Sequence, residues 1–219
     1  MFSLKEVKYK QILDIKELNI EKFKVTCIIG ESGSGKSTLL RLLNKLISCD
    51  SGTIMYNGQD LNSCDSVELR RTVVMLSQHP AIFPGTIRDN LLIGLKFAEK
   101  PAANDDKLLQ ILNMIHLNKN LDDESDPLSG GEKQRLALGR VILLDPEVFL
   151  LDEPSSALDE ETERFIIENL VAYTKETSKT LIMVTHSKKV AQTYSDKTIE
   201  LSQGKIRKSQ GGVGYESGH

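Results

Sequence analysis

The 219-residue sequence predicts an α/β protein: a mainly parallel sheet covered by helices, preceded by an antiparallel β lobe and interrupted by a small helical insert. Three observations carry this expectation. The first thirty residues alternate apolar and polar positions, which is strand periodicity. A glycine-rich loop, "GESGSGKST", then joins an apolar strand to a helix-patterned run. Beyond residue 130, helical and strand-like stretches succeed one another, as they do when parallel strands are joined by crossover helices.

In order along the chain, "LKEVKYK", "ILDIKELNI" and "KFKVTCIIG" are short strands with breaks between them. After the glycine-rich loop, "KSTLLRLLNKLI" has helical spacing, and "TIMYNGQDL" is a hairpin-like strand turning at Asn57-Gly58. "RRTVVMLSQ" reads as a buried strand. From about Thr86 to Met114 the pattern is helical, in two stretches broken near Pro101, and the insert is bounded at about 86–130. A helix at 131–144, strand "EVFLLD", helix "EETERFIIENLVAYTKE", strand "KTLIMVT", helix "SKKVAQTY" and strand "KTIEL" follow. One domain is expected over 1–208, with the Gly/Ser-rich 209–219 as a loose tail.

Lys and Arg number 28 against 31 Asp and Glu, a net charge of −3, so nothing in the overall field favours nucleic acid. No apolar run approaches the ~20 residues of a membrane span, and "MFSLKEVKYK" is not a secretory signal, so a cytoplasmic chain is expected. Cys27, Cys49 and Cys64 lack metal-site spacing and are expected as buried thiols.

The chemistry centres on strand ends. "GESGSGKS" fits the G-x-x-x-x-G-K-[ST] pattern in its required strand–loop–helix context, the hallmark of a P-loop NTPase core. Gly30, Glu31, Ser32, Gly33, Ser34, Gly35, Lys36, Ser37 and Thr38 would cradle the phosphates of ATP through backbone N–H groups, with Lys36 as a point charge and Ser37 toward Mg²⁺. "VFLLDEP" ends a buried strand in two acids: Asp152 for the metal and Glu153 to polarise the attacking water. Gln78 and His186 close two further strands. Ligands bind outside the carboxyl ends of such sheets, which places Gln78 near metal and water and His186 near the γ-phosphate. Residues 128–135, "LSGGEKQR", supply a second helix start of the anion-gripping kind, and one nucleotide does not need two.

Taken in order, "GESGSGKST", Gln78, "LSGGEKQR", "VFLLDEP", "SSALD" and His186 resemble the nucleotide-binding domains of ABC (ATP-binding cassette) ATPases along nearly the whole chain. The resemblance implies a transport-coupled ATPase at the cytoplasmic face of a membrane, paired head to tail with a second such domain and with a transmembrane permease subunit. It implies that Ser129, Gly130 and Gly131 cover the ATP held by the partner, that Asp159 crosses the same interface, and that Tyr9 stacks on adenine. The helical insert with Gln78 is where the family meets its membrane partner.

Phe23 departs from the family, standing where relatives often carry glycine, and "LDDESDP" lacks the Gly-Glu of fused exporters, whereas "QHPAIFPGTIRDNL" is exporter-like. The mixture is similar to stand-alone cassettes of the metal-export or metal-resistance type. The alternative is a soluble ABC ATPase such as one serving iron–sulfur assembly; residues 79–127 leave no room for the coiled coil of repair and chromosome relatives.

Overall fold

A computed structural model describes residues 1–211. Strands β1 (Phe2–Tyr9) and β2 (Leu13–Ile20) form an antiparallel hairpin, and β3 (Val25–Ile29) runs into the glycine-rich loop and helix α1 (Lys36–Leu43). Strands β4 (Ser51–Tyr56) and β5 (Gln59–Asp60) follow, turning at Asn57 and Gly58 with φ of 51° and 85°, the pair of positive values that a type I′ hairpin requires. Helix α2 (Ser66–Thr72) precedes β6 (Val73–Leu76). The insert contains α3 (Ile87–Phe97) and α4 (Asp105–Met114), and α5 (Gly130–Leu143) leads to β7 (Val148–Asp152). Then come α6 (Glu160–Glu176), β8 (Thr180–Val184), α7 (Lys188–Tyr194), β9 (Lys197–Ser202) and β10 (Lys205–Gly211).

The strands make two sheets. The N-terminal lobe is antiparallel, ordered β2-β1-β4-β5. The larger sheet is ordered β10-β9-β3-β8-β7-β6, parallel from β9 to β6 with β10 antiparallel at one edge. Side chains alternate across it as strand geometry demands. Val148 and Leu150 pack with α1 and the β lobe; Phe149 and Leu151 pack with α3–α7 on the other face. Burial on both faces is why these strands read as unbroken apolar runs.

Local chemistry accounts for the helix starts. Thr86 and Asp89 form a reciprocal capping box at α3, Asn104 caps α4, and Asp159 caps α6 ahead of Glu160, Glu161 and Glu163. Two elements depart from the sequence expectation. Arg70–Thr72 belong to α2, whose start is fixed by Asp65 accepting from the N–H groups of Val67 and Glu68. Strand β10 extends through Gly211, into the stretch expected to be a tail; 212–219 lie outside the described residues. The three cysteines are free thiols as expected, but Cys49 and Cys64 are half-buried; burial pushes the Cys27 thiol up to about 12. Phe23 takes φ 58° in the turn before β3, so that turn keeps a shape natural to glycine with an aromatic ring 61% exposed. Among the described residues no helix is long and apolar enough to cross a membrane.

Candidate active site

The loop between β3 and α1 is shaped by Gly33 and Gly35, at φ 77° and 103°. A Cβ on Gly35 would lie 2.6 Å from Leu13 Cδ2, so the β lobe presses directly on the loop and only glycine fits. No side chain caps α1, whose first-turn N–H groups face the loop. Lys36, 5% exposed, donates from Nζ to the carbonyls of Gly30 (2.8 Å) and Glu31 (2.9 Å). Burial pushes its pKa down, opposed by the charges of Glu153 and Asp152. Glu31, Ser32 and Gly33 are exposed on the loop's crest, Ser34 and Gly35 are buried, and Ser37 and Thr38 are half-buried.

Ser37 donates from Oγ to Asp152 Oδ1 at 3.0 Å, joining the helix after β3 to the end of β7. Burial raises the Asp152 pKa, and the bond from Ser37 opposes it. Strands β6, β7 and β8 are neighbours in the sheet, and just past their ends Gln78 and His186 converge on the Glu153 carboxylate. Gln78 Nε2 donates to Glu153 Oε2 at 2.8 Å, and His186 Nε2 lies 2.6 Å from Glu153 Oε1. That bond engages the amide nitrogen of Gln78 and not its oxygen. Ser37, Asp152 and Gln78 are a hard oxygen donor set; among the described residues no group of three or more His, Cys, Asp or Glu side chains could hold a metal alone. Such a set suits Mg²⁺, which takes one or two protein carboxylates and completes its shell with phosphate and water.

The other expected site residues stand elsewhere. Ser129 caps α5 in a reciprocal box: its Oγ accepts from the Glu132 N–H (3.3 Å) and its own N–H donates to Glu132 Oε2 (2.8 Å). The N–H of Ser129 is thus not among the anion-gripping donors expected of this helix start. The uncommitted donors are the first-turn N–H groups of exposed Gly130 and half-buried Gly131. Asp159 is exposed and accepts from Thr162 N (2.9 Å) and Thr162 Oγ1 (2.7 Å). Tyr9 ends β1, partly buried against the lobe's core, with Lys10 Nζ 5.3 Å from its ring centroid.

Sequence reasoning missed Gln134. Its Nε2 donates to the backbone carbonyl of Glu153 at 2.7 Å. The signal was its place at helical spacing with Ala137, Leu138 and Val141, an amide on an otherwise apolar face. A groove of about 380 Å³ beside β6 was also missed; it is lined by α2, α3 and α5, including Arg70, Met75, Phe97 and Arg140.

The family described as ABC transporter matches over residues 13–156. Protein STAR1 of Oryza sativa subsp. japonica is 39% identical over 202 residues, covering 92% of this chain and 58% of that protein. The methionine import ATP-binding protein MetN 2 of Paraburkholderia xenovorans is 36% identical over 194 residues, covering 86% of this chain and 50% of that one. The lactococcin transport/processing ATP-binding protein LcnC-like of Lactococcus lactis is 35% identical over 211 residues, 91% of this chain and 28% of that one. The chain therefore spans between about a quarter and three fifths of these relatives. Among solved structures, the dimeric post-hydrolysis state of the ATP-binding cassette MJ0796 bound to ADP and Pi superposes with a TM-score of 0.87 at 29% identity, covering 98% of this chain and all of that one. A bacterial Atm1-family ABC exporter with ATP bound gives 0.86 at 27% identity, covering 96% of this chain and 38% of that one.

Proposed function

Because this chain belongs to the ABC transporter family, we propose that it is the ATP-binding and hydrolysing subunit of a membrane transporter, with its catalytic pocket completed by a second cassette. The carrying observation is the division of the site. Gln78 and His186 converge on Glu153 beside the Ser37–Asp152 pair, while the bonds of Ser129 and Asp159 stay within their own helix starts. The dimeric MJ0796 cassette and the relatives' names support this reading.

In this account residues 30–38 wrap the β- and γ-phosphates with backbone N–H groups, and Lys36 exchanges its carbonyl partners for phosphate oxygens. Ser37, Asp152 and the Gln78 carbonyl would hold Mg²⁺, which would supply positive charge to offset that of the phosphates. Glu153 accepts a proton from the attacking water, whose oxygen bonds to the γ-phosphorus as the bridging oxygen departs with ADP. Gln78 and His186 fix the carboxylate at both oxygens for that step. Tyr9 packs on the base.

The N–H groups of Gly130 and Gly131, beside Ser129, meet the γ-phosphate on the facing copy, and Asp159 crosses alongside. Charge-assisted hydrogen bonds contribute roughly 1.5–3 kcal/mol apiece, so several at each site favour the closed pair with ATP and lapse with ADP. The groove beside β6 receives the permease, which holds the chain at the cytoplasmic face of the membrane. One relative is named for import and another for transport and processing, which makes the motor the shared part and leaves cargo to the permease. The test is ATP turnover per mole of protein across a dilution series. Specific activity should rise with concentration; a flat, full-speed profile from a demonstrably single chain would contradict the shared pocket.

A further inference from the structure

Glu153 holds its carboxylate in place with a backbone at φ 52°, in the left-handed region that is uncommon for residues other than glycine. Three hydrogen bonds hold it there. The Glu153 N–H donates to the Val184 carbonyl (3.2 Å), and the Glu153 carbonyl accepts from the Ser156 N–H (3.3 Å) and from Gln134 Nε2 (2.7 Å). The side-chain donor comes from outside the strand-and-turn segment, from the second turn of α5.

Resting on the function proposed above, we infer that Gln134 is a positioning residue for hydrolysis: it aims the Glu153 carboxylate by gripping that residue's backbone. Gln134 is 4% exposed, and its Oε1 is buried without a hydrogen-bond partner. An amide in such a place is unfavourable compared with an apolar side chain of like volume. What it supplies that leucine could not is the N–H on Glu153. The same helix begins at Ser129, and Gly131 packs so closely on the turn after Glu153 that a Cβ there would lie 2.9 Å from the Ala157 carbonyl. Gln134 therefore ties the helix start that serves the facing copy's ATP to the carboxylate that serves this copy's own.

The experiment compares Gln134→Leu with the unchanged chain in two settings. In steady state, kcat should fall at least about tenfold while MgATP affinity and thermal midpoint stay level, since leucine removes both the donor and the unpartnered oxygen. In a Glu153→Gln background, Gln134→Leu should leave ATP-dependent pairing intact, because aiming the side chain at residue 153 is separate from closing the dimer. Unchanged kcat would overturn the inference, as would loss of pairing together with a lowered midpoint, which would mark a merely structural role in α5. Failure of the unchanged chain to hydrolyse ATP would instead overturn the function proposed above.

Discussion

Gly204 turns the hairpin between β9 and β10 at φ 75°, and it latches the phosphate loop from behind. Its N–H donates to the Ser34 carbonyl at 3.1 Å, and its carbonyl accepts from the Asp14 N–H at 2.9 Å. An alanine Cβ would lie 2.2 Å from the Ile12 carbonyl oxygen and 3.1 Å from Leu13 Cα, both backbone, so the β1–β2 turn or the hairpin must shift. The left-handed conformation costs an alanine about 1 kcal/mol, and two strained hydrogen bonds add about 1 kcal/mol each. A total of about 3 kcal/mol in a domain of this size lowers the thermal midpoint by about 6–12 °C. Gly58→Ala is the control: φ is 85°, but nothing lies within 4 Å of the added Cβ, so only the conformational cost, about 2–4 °C, applies. Circular-dichroism melting measures both, and titration with a fluorescent ATP analogue should find binding weakened for Gly204→Ala alone. Equal melting shifts and equal affinities in the two variants would refute the latch.

Ser129→Arg should abolish turnover while leaving nucleotide affinity of the single chain unchanged, since in the proposed pair a bulky side chain at this helix start would obstruct the ATP of the facing copy; a matching loss of affinity in calorimetry would place Ser129 in its own site. Burial holds the Asp152 carboxyl above its ordinary range, so the fold loses stability as pH rises from the usual carboxylate value through the raised one, and regains it on protonation. Asp152→Asn should therefore raise the neutral-pH melting point, with its amide oxygen still accepting from Ser37, yet lower Mg²⁺-dependent turnover at least about 100-fold. A lower melting point at neutral pH would show that the charge is compensated in the fold.

Much of this architecture was legible because several local signals agreed. Helix α6 was read over its full Glu160–Glu176 span, where a capping aspartate, first-turn acids and a long amphipathic face coincide. Topology set Gln78, Asp152 and His186 at one end of the sheet; Asp152 does end β7, but β6 and β8 stop at Leu76 and Val184, and Gln78 and His186, two residues beyond them, reach Glu153 rather than Asp152. Helix α2 was lost to the apolar run after it, although Asp65 with Glu68 three residues on is a capping signal. Strand β10 was lost because its turn, Gln203-Gly204, was followed by a Gly/Ser-rich stretch read as a tail. The Ser129 capping box was hidden by attention to anion binding, although Ser-x-x-Glu is its sequence signature. The grip of Gln134 on Glu153 joins residues 19 apart through a side chain, and no local pattern carries a contact of that kind.

The mass in solution of the Glu153→Gln variant tests the shared pocket most directly. With the carboxylate replaced by an amide of the same shape, turnover should fall by about 10²–10⁴ while ATP binding persists. Light scattering should then give twice the chain mass with ATP and Mg²⁺, and the single-chain mass with ADP. A single-chain mass at saturating ATP, alongside full activity of the unsubstituted protein as a lone chain, would contradict the account.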